Sequence, residues 1–256
     1  MGEVRKMQHS IKETTNNGRE KISSTGITVV TCTKRPGAIH NIFENYKRQR
    51  LRKKELIIIL HNDSMDKNKW KEVAHRYFNV KILQISESKT LGECLNIGAK
   101  HATYELVAKF DDDDYYGPRY LAEAVKAFRK AKADVVGKAT SYVYFEKDKI
   151  LTLRNPGKEN CYVWHVDGPS IIFRKSVLKK VKFRHVSLGE DYWFCKDCIA
   201  HGIKIYSISR FQHVYMRHAN AKEHTWSIEN KKLKEWWCTF IAKGEIDYKK
   251  YINRIV

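Results

Sequence analysis

Apolar and polar positions follow two rhythms along the chain, and the change between them falls near residue 132. In the first half, short aliphatic or β-branched runs are each followed by a stretch with helical spacing. Residues 27–32 read as a buried strand, Lys34-Arg35-Pro36-Gly37 ends it, and residues 39–49 set Ile39, Ile42, Phe43 and Tyr46 on one helical face. Residues 56–60 are a second buried strand with 61–66 as its polar exit. A helix is expected over 70–78 and a third strand over 80–85, then a helix over 91–101 with Leu91, Cys94, Leu95 and Gly98 inward. Residues 104–110 make a further strand, and Pro118 opens a helix over 118–131. Strands separated by helices imply right-handed crossovers, hence an α/β fold with a mostly parallel central sheet flanked by helices.

Beyond residue 132 the runs shorten. Residues 135–136, 141–145 and 150–153 alternate with charged breaks, as antiparallel strands do, and 168–173 reads as a returning strand. A helix over 191–201 ends at Gly202, a strand follows over 203–208, and 227–242 is expected to be a helix whose Ile228, Leu233, Trp236, Trp237 and Phe240 pack on the body. No internal repeat and no linker rich in Pro, Gly or Ser interrupts this order. A single domain is therefore expected over 27–226, preceded by a polar, mobile or loosely docked tail over 1–26 and followed by a helical extension over 227–256.

Composition narrows the class. With 256 residues, 42% hydrophobic and 12% aromatic, the chain can bury a sizeable core. The longest aliphatic run, 56–60, is far from the roughly 20 residues that span a bilayer. No apolar leader opens the sequence, and Lys6 stands where a myristoylation signal would carry Ser or Thr, so a cytoplasmic location is expected. Six cysteines in such a chain read as reduced thiols, and Cys195 with Cys198 as helix packing, since no second CxxC completes a zinc site. The net charge of +20, from 49 Lys and Arg against 29 Asp and Glu, points to anionic partners: an anionic acceptor, or peripheral contact with an anionic surface. Nucleic acid is disfavoured, because no zinc-finger spacing, RNP pattern or basic zipper accompanies the charge.

The candidate chemistry lies in Asp111-Asp112-Asp113-Asp114. Adjacent carboxylates raise one another's pKa, so such a run is kept solvated or faces a divalent cation. Its place after a strand is where open parallel sheets bind ligands, and a polar turn before the helix is the plainer alternative. Glu190-Asp191 begins the helix over 191–201, where carboxylates serve as caps or as acid–base groups.

Taken in order, these segments resemble the GT-A fold glycosyltransferases of family 2 over about residues 27–226. The resemblance rests on Thr31-Cys32-Thr33-Lys34-Arg35-Pro36, on the strand exit 56–66, on the helix with Asn96, on Asp111-Asp112-Asp113 with its trailing Pro118, and on Gly189-Glu190-Asp191-Tyr192. It implies an inverting, metal-dependent transfer from a nucleotide sugar, a UDP-sugar by preference, to an unknown glycan or protein acceptor. Within it Asp113, Asp111 and His218 would hold Mn2+ or Mg2+, with His213 and His224 competing for the place of His218. Thr31, Thr33, Arg35, Asn62, Asp63, Lys89, Asn96, Asp111 and Asp112 would bind the donor. Asp191 would be the general base with Glu190 supporting it. Where the family has Asp facing the base, this chain has Asn62, whose amide suits uracil. The alternative is a GT-A-like protein that binds nucleotide sugars or serves as a scaffold without turnover.

Overall fold

The computed structural model describes residues 25–219, 224, 226 and 228–254, so nearly all of the expected tail, and Ser227, lie outside the described residues. Strand β2 (Lys54–Leu60) is apolar on both faces: Leu56, Ile58 and Leu60 meet one helical layer, Ile57 and Ile59 the other. A strand covered on both sides needs no polar alternation, which is why it reads as an unbroken aliphatic run. It lies between β3 (Val80–Gln84) and β1 (Ile27–Thr33), all parallel, and β1 pairs in parallel with β4 (Leu106–Lys109). Strand β10 (Ile172–Arg174) inserts antiparallel between β4 and β6 (Val135–Gly137), and β11 (Ile205–Ser207) and β9 (Cys161–Tyr162) finish the sheet. The order is β3-β2-β1-β4-β10-β6-β11-β9.

Helices α1 (Ile39–Arg48), α2 (Lys67–Ala74) and α4 (Tyr120–Lys130) cover one face of this sheet. Helices α3 (Leu91–His101) and α5 (Glu190–Ala200) cover the other, where Cys195 and Cys198 pack in the core. A second sheet, in order β13-β8-β7-β12-β5, is built from β5 (Tyr115–Tyr116), β7 (Ser141–Phe145), β8 (Ile150–Arg154), β12 (His213–Arg217) and β13 (Cys238–Lys243). Its core joins Tyr142, Leu151, Val214 and Met216 to Ile252 of α7 (Tyr248–Ile252).

Several boundaries differ from the sequence pattern for local reasons. Helix α2 starts at Lys67 rather than 70, because the Asp66 carboxylate caps it by accepting from the N–H groups of Asn68 and Lys69. Gly168–Ser170 forms a 3-10 turn ahead of β10, since Pro169 has no N–H to give a strand ladder. The largest correction concerns the C-terminal segment. The expected long helix is α6 (Asn230–Trp237), and the chain then extends as β13 along the free edge of β8. Leu233 is buried and Ile228 packs beside it, but Trp236, Trp237 and Phe240 are 61%, 38% and 62% exposed rather than packed on the body.

Candidate active site

Two parallel strands and one helix start deliver the polar groups. The exit of β1 presents Thr33 and Arg35, the exit of β4 the acidic run, and the first turn of α5 Glu190 and Asp191. All six of Thr33, Arg35, Asp111, Asp112, Asp113 and Asp191, together with Glu190, line one cavity of about 980 Å³ at the carboxyl ends of the parallel strands.

The acidic run is held from outside and divided in role. Asn41 and Asn45 of α1 donate to the carbonyls of Asp112 and Asp114, fixing the loop. Asp112 accepts from the Thr33 hydroxyl at 2.5 Å and forms a two-point ion pair with Arg35, whose Nε stands at 3.1 Å. Asp113 accepts from Arg35 Nη2 at 2.9 Å and lies 3.7 Å from His218 Nε2. Burial pushes the Asp113 carboxyl up, but the nearby His218 ring and the Arg35 charge outweigh it and hold it at about 2. Asp114 is buried against His213 Nε2 at 3.1 Å and the Met216 N–H at 2.9 Å, and is part of the scaffold.

The sequence pattern assigns no site role to Lys109, the last residue of β4. It is buried, with Nζ 2.5 Å from Asp111 and 3.7 Å from Glu190. Burial works against its charge, yet Asp111 and Glu190 raise its pKa above the ordinary lysine range, so it is a permanent cation between the two acidic motifs. Glu190 is pushed up to about 7 by burial, against the pull of Lys109. The available signal was a lysine in an otherwise apolar strand.

Asp191 is half-buried and oriented by backbone. Its Oδ2 accepts from the Gly168 N–H at 3.0 Å, and its Oδ1 from the Tyr192 N–H at 2.8 Å in the first turn of α5. His165 Nε2 stands 4.0 Å from Oδ2. A Cβ on residue 168 would come within 2.7 Å of that oxygen, so glycine lets the carboxylate reach the backbone.

Of the three histidines near the acidic run, His218 faces Asp113, whereas His213 is taken up by the buried Asp114. The Asp113 carboxylate beside it and a hydrogen bond with Glu146 lift His218 to about 9 against burial, whereas burial and Arg217 lower His224 to about 4. His224 accepts from the His218 N–H at 2.9 Å and stacks on its ring. Glu146, also unforeseen, holds His218 Nδ1 at 2.8 Å. As donors for a hard divalent ion, an ionised carboxylate at Asp113, Asp111 in the same cavity and an imidazole at His218, held by Glu146 and freed at Nε2 by loss of its proton, fit by chemistry. Among the described residues no three such side chains are drawn together closely enough to enclose an ion in this conformation.

The remaining expected donor residues are placed elsewhere. Thr31 is buried inside β1. Asn62 commits its amide oxygen to the Ser64 N–H and hydroxyl, and Asp63 accepts from Ser86 and Glu87. Lys89 pairs with Glu93 at 3.0 Å. Asn96 is outside the cavity, with both ends of its amide on the backbone of Phe183.

A sheet of this order, with an acidic loop at its carboxyl edge facing a Glu-Asp helix start, defines a glycosyltransferase of the GT-A fold. The sequence model of glycosyl transferase family 2 matches residues 27–185, well over half of the chain, and the chain belongs to that family. Solved structures share the fold. S. aureus TarS 1–349 in complex with UDP-GlcNAc superposes with a TM-score of 0.62 at 16% identity, over 82% of this chain and 64% of that one. TarS 1–349 alone gives 0.61 at 18% identity, over 78% and 61%. The mannosyltransferase PcManGT from Pyrobaculum calidifontis, in complex with GDP-Man and Mn2+, gives 0.58 at 16% identity, over 84% and 61%. This chain thus spans less than two thirds of the length of these neighbours. A comparison with curated protein sequences finds no match.

Proposed function

We propose that this glycosyltransferase inverts the anomeric carbon of a nucleotide sugar, by preference a UDP-sugar, with a divalent cation at Asp113, Asp111 and His218. The observation that carries the reading is that the acidic loop and the Glu-Asp pair share one cavity, with buried Lys109 reaching both. Arg35 and Thr33 order the acidic loop, and Lys34 lines the same cavity as a cation able to meet a diphosphate. A bound Mn2+ or Mg2+ would neutralise charge growing on the leaving diphosphate. Asp191, fixed by two backbone N–H groups, takes the proton of the acceptor hydroxyl at a carboxylate oxygen as that hydroxyl attacks from the face opposite the diphosphate. Glu190 and Lys109 hold the first turn of α5 against the acidic loop. Neighbouring proteins solved with UDP-GlcNAc and with GDP-Man and Mn2+ support a nucleotide-sugar donor and the use of such an ion.

The test is thermal stabilisation and turnover across a panel of UDP-, GDP- and dTDP-sugars, with Mn2+ or with EDTA. A UDP-sugar should stabilise the protein only with the ion, and Asp113→Ala should abolish that gain while the unliganded melting point holds. Equal stabilisation in EDTA would remove the metal assignment, and binding without turnover across acceptors would favour the non-catalytic alternative.

A further inference from the structure

Helix α6 and edge strand β13 carry a surface that the transfer chemistry does not use. Trp236 and Phe240 are more than half exposed, and Trp237 beside them is over a third exposed. Single exposed apolar residues are ordinary, but three large aromatics within five positions form a patch that water solvates poorly. Exposed Lys231 and Lys232 on α6, and Lys243 at the end of β13, accompany them. Of the nearby charges, Glu229 pairs with Lys232, Asp148 with Lys234 and Glu245 with Lys149, so the pairs cancel and Lys231 and Lys243 stand against Glu235.

The patch runs to the active-site cavity. Trp236 meets Trp237 with ring centroids 5.5 Å apart, and Trp237 meets Trp226, which lines the cavity, at 6.1 Å. From this arrangement we infer that α6 and β13 dock the enzyme on an anionic lipid bilayer, with the Trp226 side of the cavity turned toward the lipid. Tryptophan with lysine is the composition of a membrane interface, where indoles sit at headgroup depth and lysines meet anionic lipid. Protein–protein interfaces are depleted in lysine. The register also shifts between Phe240 and Ala242, an irregularity that makes the outer edge of β13 a poor template for a partner strand. The net charge of +20 suits an anionic surface over a neutral one.

The inference is independent of the transfer chemistry and is tested by co-sedimentation of the full chain with vesicles. One set is phosphatidylcholine alone, the other phosphatidylcholine with about one third phosphatidylglycerol. The wild type should pellet with the anionic set and stay in solution with the neutral set. Trp236→Ser/Phe240→Ser and Lys231→Glu/Lys232→Glu should each weaken binding about tenfold or more. Both pairs are exposed, so melting points and metal-dependent stabilisation by donor should stay at wild-type values. Failure of the wild type to bind, or undiminished binding by both variants, would overturn the assignment. Equal affinity for a soluble anionic polysaccharide, lost in the same variants, would reassign the patch to a glycan.

Discussion

Asn96 places both ends of its amide on one residue, donating to the Phe183 carbonyl at 2.8 Å and accepting from the Phe183 N–H at 3.1 Å. The pattern of a family helix marked it as a donor contact, but an amide committed to buried backbone on both sides acts on the fold. Asn96→Ala should therefore cost about 1–3 kcal/mol in chemical denaturation, the scale of leaving buried partners unpaired, and leave donor affinity nearly unchanged. A tenfold loss of affinity at wild-type stability would restore the donor role. Lys109 shows the opposite kind of omission. Its neighbours in sequence announce chemistry, yet its partner Glu190 lies eighty-one positions away and is reached only through the packing of α5. Spacing along a chain carries no trace of such a contact.

At the level of elements, helix α3 lies so close to the segment after β10 that a Cβ on Gly92 would come within 1.8 Å of the Arg184 carbonyl, and the Gly92 N–H donates to Val186. Helix propensity alone favours alanine there by about 1 kcal/mol. The contact is with backbone and cannot yield to a rotamer change, so Gly92→Ala should instead destabilise by roughly 2 kcal/mol or more, read as a lower denaturation midpoint. The elements that sequence revealed best were those whose own residues determine them, such as the aliphatic β2 and the helix 91–101, where Thr90 and Glu93 form a capping box. The ones it misread depend on a partner. β13 is a strand because β8 offers an edge, and Tyr115–Tyr116 is a strand because β12 lies beside it. Hydrophobic spacing over 227–242 suits a helix equally well, and only the tertiary neighbour decides.

Across the whole molecule the polar interior shapes the response to pH. Lys138 is buried, donates to the carbonyls of Ser209 and Phe211, and lies over the Tyr120 ring, within range of Glu123 and Glu159. Burial outweighs those two carboxylates and lowers its pKa to about 7. In the unfolded chain it holds its proton to about 10.5. Between those values unfolding takes up a proton, so this site adds stability as pH rises from about 7 to 10.5, by roughly 1 kcal/mol per pH unit at most, and adds none below 7. Lys138→Met should flatten that part of the profile, followed by urea denaturation at a series of pH values. An unchanged slope would mean that the lysine stays charged in the folded protein.

The central claim, that the acidic loop and Asp191 act on one donor in one cavity, is tested most directly by Asp191→Asn. Asparagine keeps the size of the side chain and can still accept from Gly168 or Tyr192, but cannot take the acceptor's proton. Product formation and metal-dependent donor affinity should be measured on the same purified variant with a competent acceptor. The account predicts wild-type affinity with transfer reduced about 10²-fold or more. Transfer near the wild-type rate, with a small shift in melting point as the only change, would contradict it and leave Asp191 as a helix cap.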